Sequence, residues 1–227
     1  MKISILGTGM VGRTLAAKLS SLGHPVAIGT RDPKATLASN DKDAMGNPPY
    51  RVWAEQHPSV KLVTFAEAAA QGEVLFHVLS GQGAIPGLRL AGAENLAGKI
   101  LMDVSNPLDF SKGMPPSLAV CNTDSLGETI QREFPKTRVV KTLNTLSAPL
   151  MVDPHKLAGG EHTIFVSGND AQAKTQVTGY LREWFGWKDI VDLGDITTAR
   201  GTEMLLPIWL RLWGALGTPV FNLRVVR

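Results

Sequence analysis

Three glycines spaced as Gly7-Thr8-Gly9-Met10-Val11-Gly12 are the first residues in the chain whose pattern carries chemistry. They follow an apolar strand, Lys2–Leu6, and open an amphipathic helix from Val11 to Leu22 that stops at Gly23. In that context Gly7 allows a tight turn, Gly9 lets backbone approach a pyrophosphate, and Gly12 lets helix and strand touch. The helix N-terminus then offers free N–H groups and a partial positive charge to phosphates. A tight turn without a ligand is the alternative reading of these glycines.

The end of the second strand decides between the two nicotinamide dinucleotides. A carboxylate about 20 residues past such a motif accepts hydrogen bonds from the adenosine ribose of NAD. Here the stretch reads Gly29-Thr30-Arg31-Asp32-Pro33-Lys34. Arg31 grips a 2′-phosphate with a planar fork and Thr30 adds a hydroxyl, so NADP(H) is the expected cofactor. Lys34 lies close enough to assist or simply to be solvated. Asp32 is the competing NAD-type residue, placed beyond the arginine in the turn.

Two further segments fall where strands end on the ligand side of such a sheet. Ser80-Gly81-Gln82-Gly83 follows the fourth strand, and Ser105-Asn106-Pro107 follows the fifth. Small residues there permit close approach to the nicotinamide ribose, and Asn106 can donate to the carboxamide. Ordinary turn chemistry is the alternative. No H-E-x-x-H, G-x-S-x-G or Lys–Tyr pair is present, and the histidines are dispersed. Hydride transfer between two apposed rings needs orientation rather than a protein nucleophile, and the sequence is compatible with it.

The elements that must hold these residues alternate between short β-rich runs and helical patterns. Strands are expected at Lys2–Leu6, Pro25–Gly29, Val60–Thr64, Val74–Leu79, Lys99–Val104 and Arg138–Leu143, several of them continuously apolar. That is the signature of an α/β fold, a Rossmann-type doubly wound parallel sheet covered on both faces. Asp41–Tyr50, rich in Pro and polar residues, reads as a surface insertion. After residue 148 come a strand at His162–Ser167, a helix at Ala171–Phe185, a strand at Asp189–Leu193 and a long apolar helix from Thr198 to about Leu216 kinked by Pro207. The expected organisation is an NADP-binding domain over 1–148 and a smaller C-terminal α/β unit over 149–227, one continuous fold being the alternative.

Composition narrows the class further. The chain has 227 residues, 44% hydrophobic and 19% charged, with a net charge of +3. That is ordinary globular composition, and a scattered excess of three charges argues against a nucleic-acid partner. Cys121 is the only cysteine, which rules out an intramolecular disulfide and a Cys-rich metal site; it reads as a small core residue. The N-terminal apolar run is a strand rather than a leader, and the apolar stretch Met204–Leu216 is too short to span a bilayer. A cytoplasmic protein with no membrane partner is expected. Leu205, Leu206, Ile208, Trp209, Leu212, Trp213 and Leu216 surround much of the last helix, which must be buried on several sides; a homodimer is the expected solution.

Taken in order, these segments resemble the NADPH-dependent deazaflavin coenzyme F420 reductase family, also described as NADP oxidoreductase, coenzyme F420-dependent. The resemblance covers nearly the full length. It rests on the opening I-L-G-T-G-x-x-G, Gly29-Thr30-Arg31, Asp103 to Pro107 (DVSNP), Val140 to Thr145 (VKTLNT), Phe165 to Asp170 (FVSGND) and Glu203 to Pro207 (EMLLP). It implies hydride transfer between NADP(H) and the deazaflavin, with the second coenzyme stacked near the nicotinamide under the C-terminal unit. Thr8, Met10, Val11, Thr30 and Arg31 would then line the NADP site, and Asn106, Asn144, Ala148 and Leu206 the ring-to-ring contact. Archaeal members carry a histidine where Asn144 stands, and usually Pro-Trp where this chain has Ser80-Gly81; both departures lie on the acceptor side. The alternative functions are NADPH-dependent reduction of a small imine, carbonyl or flavin, and an NADP(H)-sensing module. For a small substrate, Ser80, Ser105 and Ser147 are the candidate proton donors.

Overall fold

Apolar runs bounded by turn residues become the strands of one sheet in the computed structural model, which describes residues 1–42 and 46–227. In chain order the strands are β1 (Ile3–Leu6), β2 (Val26–Thr30), β3 (Lys61–Thr64), β4 (Val74–His77), β5 (Ile100–Asp103), β6 (Leu108–Asp109), β7 (Ser117–Leu118), β8 (Arg138–Thr142), β9 (Thr163–Ser167) and β10 (Asp189–Gly194). The helices are α1 (Met10–Ser21), α2 (Pro33–Ala38), α3 (Tyr50–Gln56), α4 (Phe65–Gln71), α5 (Gly81–Ala91), α6 (Ala93–Leu96), α7 (Leu126–Glu133), α8 (Ala148–Val152), α9 (Ala171–Phe185), α10 (Ala199–Met204) and α11 (Leu206–Leu216).

Eight strands pair in the order β10-β9-β8-β5-β4-β1-β2-β3, and β6 and β7 form a separate small hairpin. From β3 to β8 all neighbours run parallel. The order reverses between β1 and β4, which opens a ligand crevice at the carboxyl ends of the strands. β9 then pairs antiparallel with β8, and β10 runs parallel to β9, so the C-terminal segment extends the same sheet in the opposite sense.

Side-chain alternation divides the core into two layers. Ile3, Ile5, Phe76, Met102 and Val140 face α1, α8 and α9 through Leu15, Leu19, Leu150, Val177 and Leu181. Leu6, Leu75, Leu101 and Val139 face α4, α5, α7 and α10 through Ala68, Leu88, Ile130 and Ala199. Local signals agree with these elements. Thr64 and Glu67 close a reciprocal capping box on α4, and α9 runs from an Asp170 cap to Gly186 in the left-handed conformation.

Four expectations change. Asp41–Tyr50 is not wholly a surface insertion: residues 43–45 lie outside the described residues, but Tyr50 is buried and begins α3. The Tyr50 and Trp53 rings lie 5.5 Å apart, and Arg13 sits over the Tyr50 ring. The stretch Ser80–Gly83 is not a loop, because Gly81 already starts α5. The expected last helix is split at Leu205 into α10 and α11, where Pro207 in the first turn of α11 has no N–H to continue the ladder. Of α11 only Leu206 is buried, while Ile208 and Leu216 are 51% and 56% exposed, so one chain does not supply its covering. Cys121 is exposed rather than core, in the connection between β7 and α7 beside Asn122, whose φ is 67°. No helix among the described residues is long and apolar enough to cross a membrane.

Candidate functional site

The glycine turn has the geometry its spacing requires. Gly7 has φ 131°, a conformation L side chains rarely adopt, and its N–H reaches Gly29 O at 3.1 Å. A Cβ on Gly12 would lie 2.2 Å from Gly7 O, so helix and strand touch through it. A Cβ on Gly9 would meet nothing within 4 Å. Gly9 therefore faces open space, and it caps α1 without a side-chain bond, which leaves the first-turn N–H groups free for an anion. Met10 is exposed and Thr8 and Val11 are half-buried around this opening.

At the end of β2, Thr30 is buried with its hydroxyl 2.9 Å from that of Thr36, which itself donates to Asp32 O. The Thr30 proton thus supports the turn. Asp32 caps α2, its Oδ1 accepting Ala35 N–H at 3.0 Å, and the would-be ribose carboxylate is committed to that cap. Arg31 and Lys34 are exposed, and neither makes a hydrogen bond or ion pair with a described residue. Two free cations beside a glycine turn fit a phosphate-bearing ribose.

The other end of the crevice is built from loops after β4, β5 and β8. A Cβ on Gly81 would lie 2.7 Å from Pro107 Cα, so only glycine lets the head of α5 meet the Asn106-Pro107 turn. Asn106 Nδ2 donates to Asn144 O at 2.8 Å, and Asn144 Nδ2 donates to Asn106 Oδ1 at 3.0 Å. Leu143, buried at φ 59°, bends the chain into this pairing at a cost of about 1–3 kcal/mol. Next to it, Ser147 Oγ is buried with no partner among the described residues, and buried Ala148 starts α8. An orphaned buried hydroxyl at a loop end suits a ligand group such as the nicotinamide carboxamide. A cavity of about 360 Å³ lies between Ser80 and Gln82 on one side and Leu108, Phe110 and Ser111 on the other.

Beneath these loops lies a polar cluster that the sequence reading missed. His77, Asp103 and Lys141 are cross-strand neighbours near the carboxyl ends of β4, β5 and β8, and all are at most 1% exposed. His77 Nδ1 donates to Asp103 Oδ1 at 2.9 Å, as do Ser105 N at 3.0 Å and Ser105 Oγ at 2.6 Å. Lys141 Nζ donates to Asp103 Oδ2 at 2.9 Å, Ser105 O at 2.6 Å and Glu203 Oε1 at 2.7 Å. Glu203, also buried, accepts from Leu126 N and Gly127 N at the start of α7. Burial works against the charged form of Asp103, yet the Lys141 ammonium and then the His77 and Ser105 hydrogen bonds hold its carboxyl well below the usual range. Burial likewise opposes the Lys141 charge, but Asp103 and Glu203 hold its ammonium above its usual range. The signal was present: each of these three strands carries a titratable residue at the same register position near its carboxyl end.

A doubly wound sheet with an open glycine turn, free cations after β2 and joined loop ends after β5 and β8 has the frame of a dinucleotide-dependent oxidoreductase. Residues 2–107 match the family model described as NADP oxidoreductase coenzyme F420-dependent. The crystal structure of a candidate F420-dependent NADP reductase from Arthrobacter sp. FB24 is 59% identical, with a TM-score of 0.95 and 100% of both chains covered. The F420-dependent NADP reductase of Methanothermobacter marburgensis is 28% identical over 93% of this chain and 92% of its own length. Metalloreductase STEAP3 of Rattus norvegicus is 32% identical over 92% of this chain, which spans 38% of that protein's length. The chain belongs to the coenzyme F420-dependent NADP oxidoreductase family.

Proposed function

We propose that this chain transfers a hydride between NADP(H) and a flat acceptor, the deazaflavin coenzyme F420. Gly7, Gly9 and Gly12 hold the pyrophosphate, Arg31 and Lys34 the 2′-phosphate, and the loops at Gly81 and Asn106-Pro107 the nicotinamide ribose. NADPH, when bound, supplies the hydride from its nicotinamide ring. The residues around that ring orient it and exclude water: the Asn106–Asn144 contacts join the loop ends, and Ala148 and Leu206, both buried, would back the acceptor side from within.

The observation that carries this reading is the commitment of the nearby protons. The Ser105 hydroxyl proton goes to Asp103, and all three Lys141 protons are donated. Hydride transfer to the deazaflavin ring carbon leaves a proton for a ring nitrogen that solvent can supply, whereas reduction of an imine or carbonyl calls for a donor at the adjacent nitrogen or oxygen as the hydride arrives. Oxidation of NADPH, followed at the nicotinamide absorbance band with deazaflavin and a panel of imines, carbonyls and flavins, is the test. Deazaflavin left oxidised while an imine or carbonyl is consumed would overturn the proposal.

The small-substrate reading has one observation in its favour, the unpartnered Ser147 hydroxyl, which is free to donate. Under that reading Ser147→Ala lowers turnover about a hundred- to ten-thousandfold, and under ours it weakens NADPH binding only. The same proposal treats residues 1–148 as the cofactor-binding unit and 149–227 as the acceptor-covering unit of a cytoplasmic homodimer. The exposed apolar flank of α11 supports a second copy there.

A further inference from the structure

Lys141 has no part in the hydride transfer proposed above, yet it is one of the most deeply buried large side chains in the protein. Burying an ion triad is a costly way to stabilise a fold, because apolar residues of similar volume do as well. The position of this one therefore asks for another account. Its three members sit on the two parts of the chain that must face each other. Asp103 ends β5, which leads into Ser105-Asn106, Lys141 is next to last in β8, which leads into Leu143-Asn144, and Glu203 lies three residues before Leu206.

We propose that Lys141 is a positioning residue that sets the spacing between the two redox rings, acting through Glu203; this rests on the ring-to-ring reading. One arm of the ammonium holds Ser105 O and Asp103, which fixes the loop bearing Asn106. The other holds Glu203 and with it the α10–α11 segment that carries Leu206 to the acceptor side. Arg200, on the same helix as Glu203, grips Glu128 through two bonds at 2.8 and 2.6 Å, so α10 is seated on α7 independently of Lys141. Loss of the Lys141–Glu203 bond therefore shifts the helix within its seat without releasing it. A proton-relay role does not fit, since every Lys141 proton is already donated to a fixed acceptor.

The experiment compares wild type with Glu203→Gln, which keeps the side-chain shape and one of the two oxygens that accept the α7 N–H groups while removing the charge that faces Lys141, and with Lys141→Met. Folding is checked by circular dichroism and NADPH affinity by titration. In folded Glu203→Gln we expect NADPH affinity within about twofold of wild type and kcat lower by roughly ten- to a hundredfold, since misplacement by about 1 Å costs on that order. The primary isotope effect with deuterated NADPH should rise as hydride transfer becomes limiting. An unchanged kcat, or a fall in NADPH affinity that matches the fall in kcat, overturns the proposal. If Lys141→Met fails to fold, Glu203→Gln still decides. Failure of the functional reading shows in a different place, as wild-type protein that leaves deazaflavin oxidised; the comparison then uses the acceptor that wild type does reduce.

Discussion

Replacing Arg31 with alanine should weaken NADPH binding and leave NADH binding nearly unchanged, because Arg31 has no partner to lose among the described residues. A hydrogen bond to a charged group contributes about 1.5–3 kcal/mol, or roughly ten- to a hundredfold in affinity. Arg31 is exposed, so the preference should shrink as salt is raised. Isothermal titration of both cofactors at two salt concentrations checks this, and equal losses for both would sink the assignment. Gly12→Ala is a different kind of change. Its Cβ would press on Gly7 O, a backbone atom that cannot step aside, so both NADPH binding and thermal stability should fall. These residues were legible because their chemistry is local: six consecutive positions build the turn and two more follow one strand. Lys141, Asp103 and Glu203 were not, since they come together from three distant segments. Asp32 was legible as a poor ribose ligand, though not for the reason found here, its use as a helix cap.

At the scale of elements, the strands read well wherever both faces are buried, because a continuous apolar run has few other places to go. Helix α9 was read to the residue, from Ala171 to Phe185. Strand direction is another matter. Nothing within Thr163–Ser167 distinguishes a strand that pairs antiparallel with β8 from one that continues the parallel order; the connection through α8 decides it. Helix α3 was hidden by its neighbours, since Pro48 and Pro49 mark a turn and mask the aromatic residues that pack behind it. The loop ends after β5 and β8 also act as one element. Asn106→Ala and Asn144→Ala should each lower turnover by about tenfold while NADPH affinity holds. Because Asn106→Ala removes both bonds, its own to the Asn144 backbone carbonyl and the acceptor for the Asn144 amide, the double variant should cost little more than Asn106→Ala alone. Steady-state kinetics on the three variants tests this, and simple multiplication of the two effects would argue against a shared clamp.

For the whole molecule, pH separates the buried cluster from the rest. Asp103 is held below its usual range, first against burial and then by Lys141; the Arg200 hydrogen bond does the same for Glu128. A carboxylate lowered on folding adds stability that is fully present above its unfolded value near 4 and is lost as pH falls through the folded value. Lys141, raised on folding, adds stability present below its unfolded value and lost only as pH climbs through the folded one. The urea midpoint should therefore hold from neutral pH to about 4.5 and drop below that. Glu203→Gln should shift the alkaline limb more than the acid one. Assembly belongs to this scale as well: a dimer joined through α11 predicts twice the monomer mass in light scattering at micromolar concentration. Ile208→Glu should then give folded monomers, and wild-type protein that is monomeric under the same conditions would refute the joint.

The exposed thiol of Cys121 offers a view of the α10–α11 junction that needs no engineering. It is the sole sulfhydryl of the chain, and the next residue, Asn122, gives its N–H to the Met204 sulfur at 3.2 Å, where α10 ends and α11 begins. An environment-sensitive dye attached there would sit against the segment that Glu203 anchors. Its emission would report, in native protein and in real time, whether that segment settles when NADPH enters or waits for the acceptor.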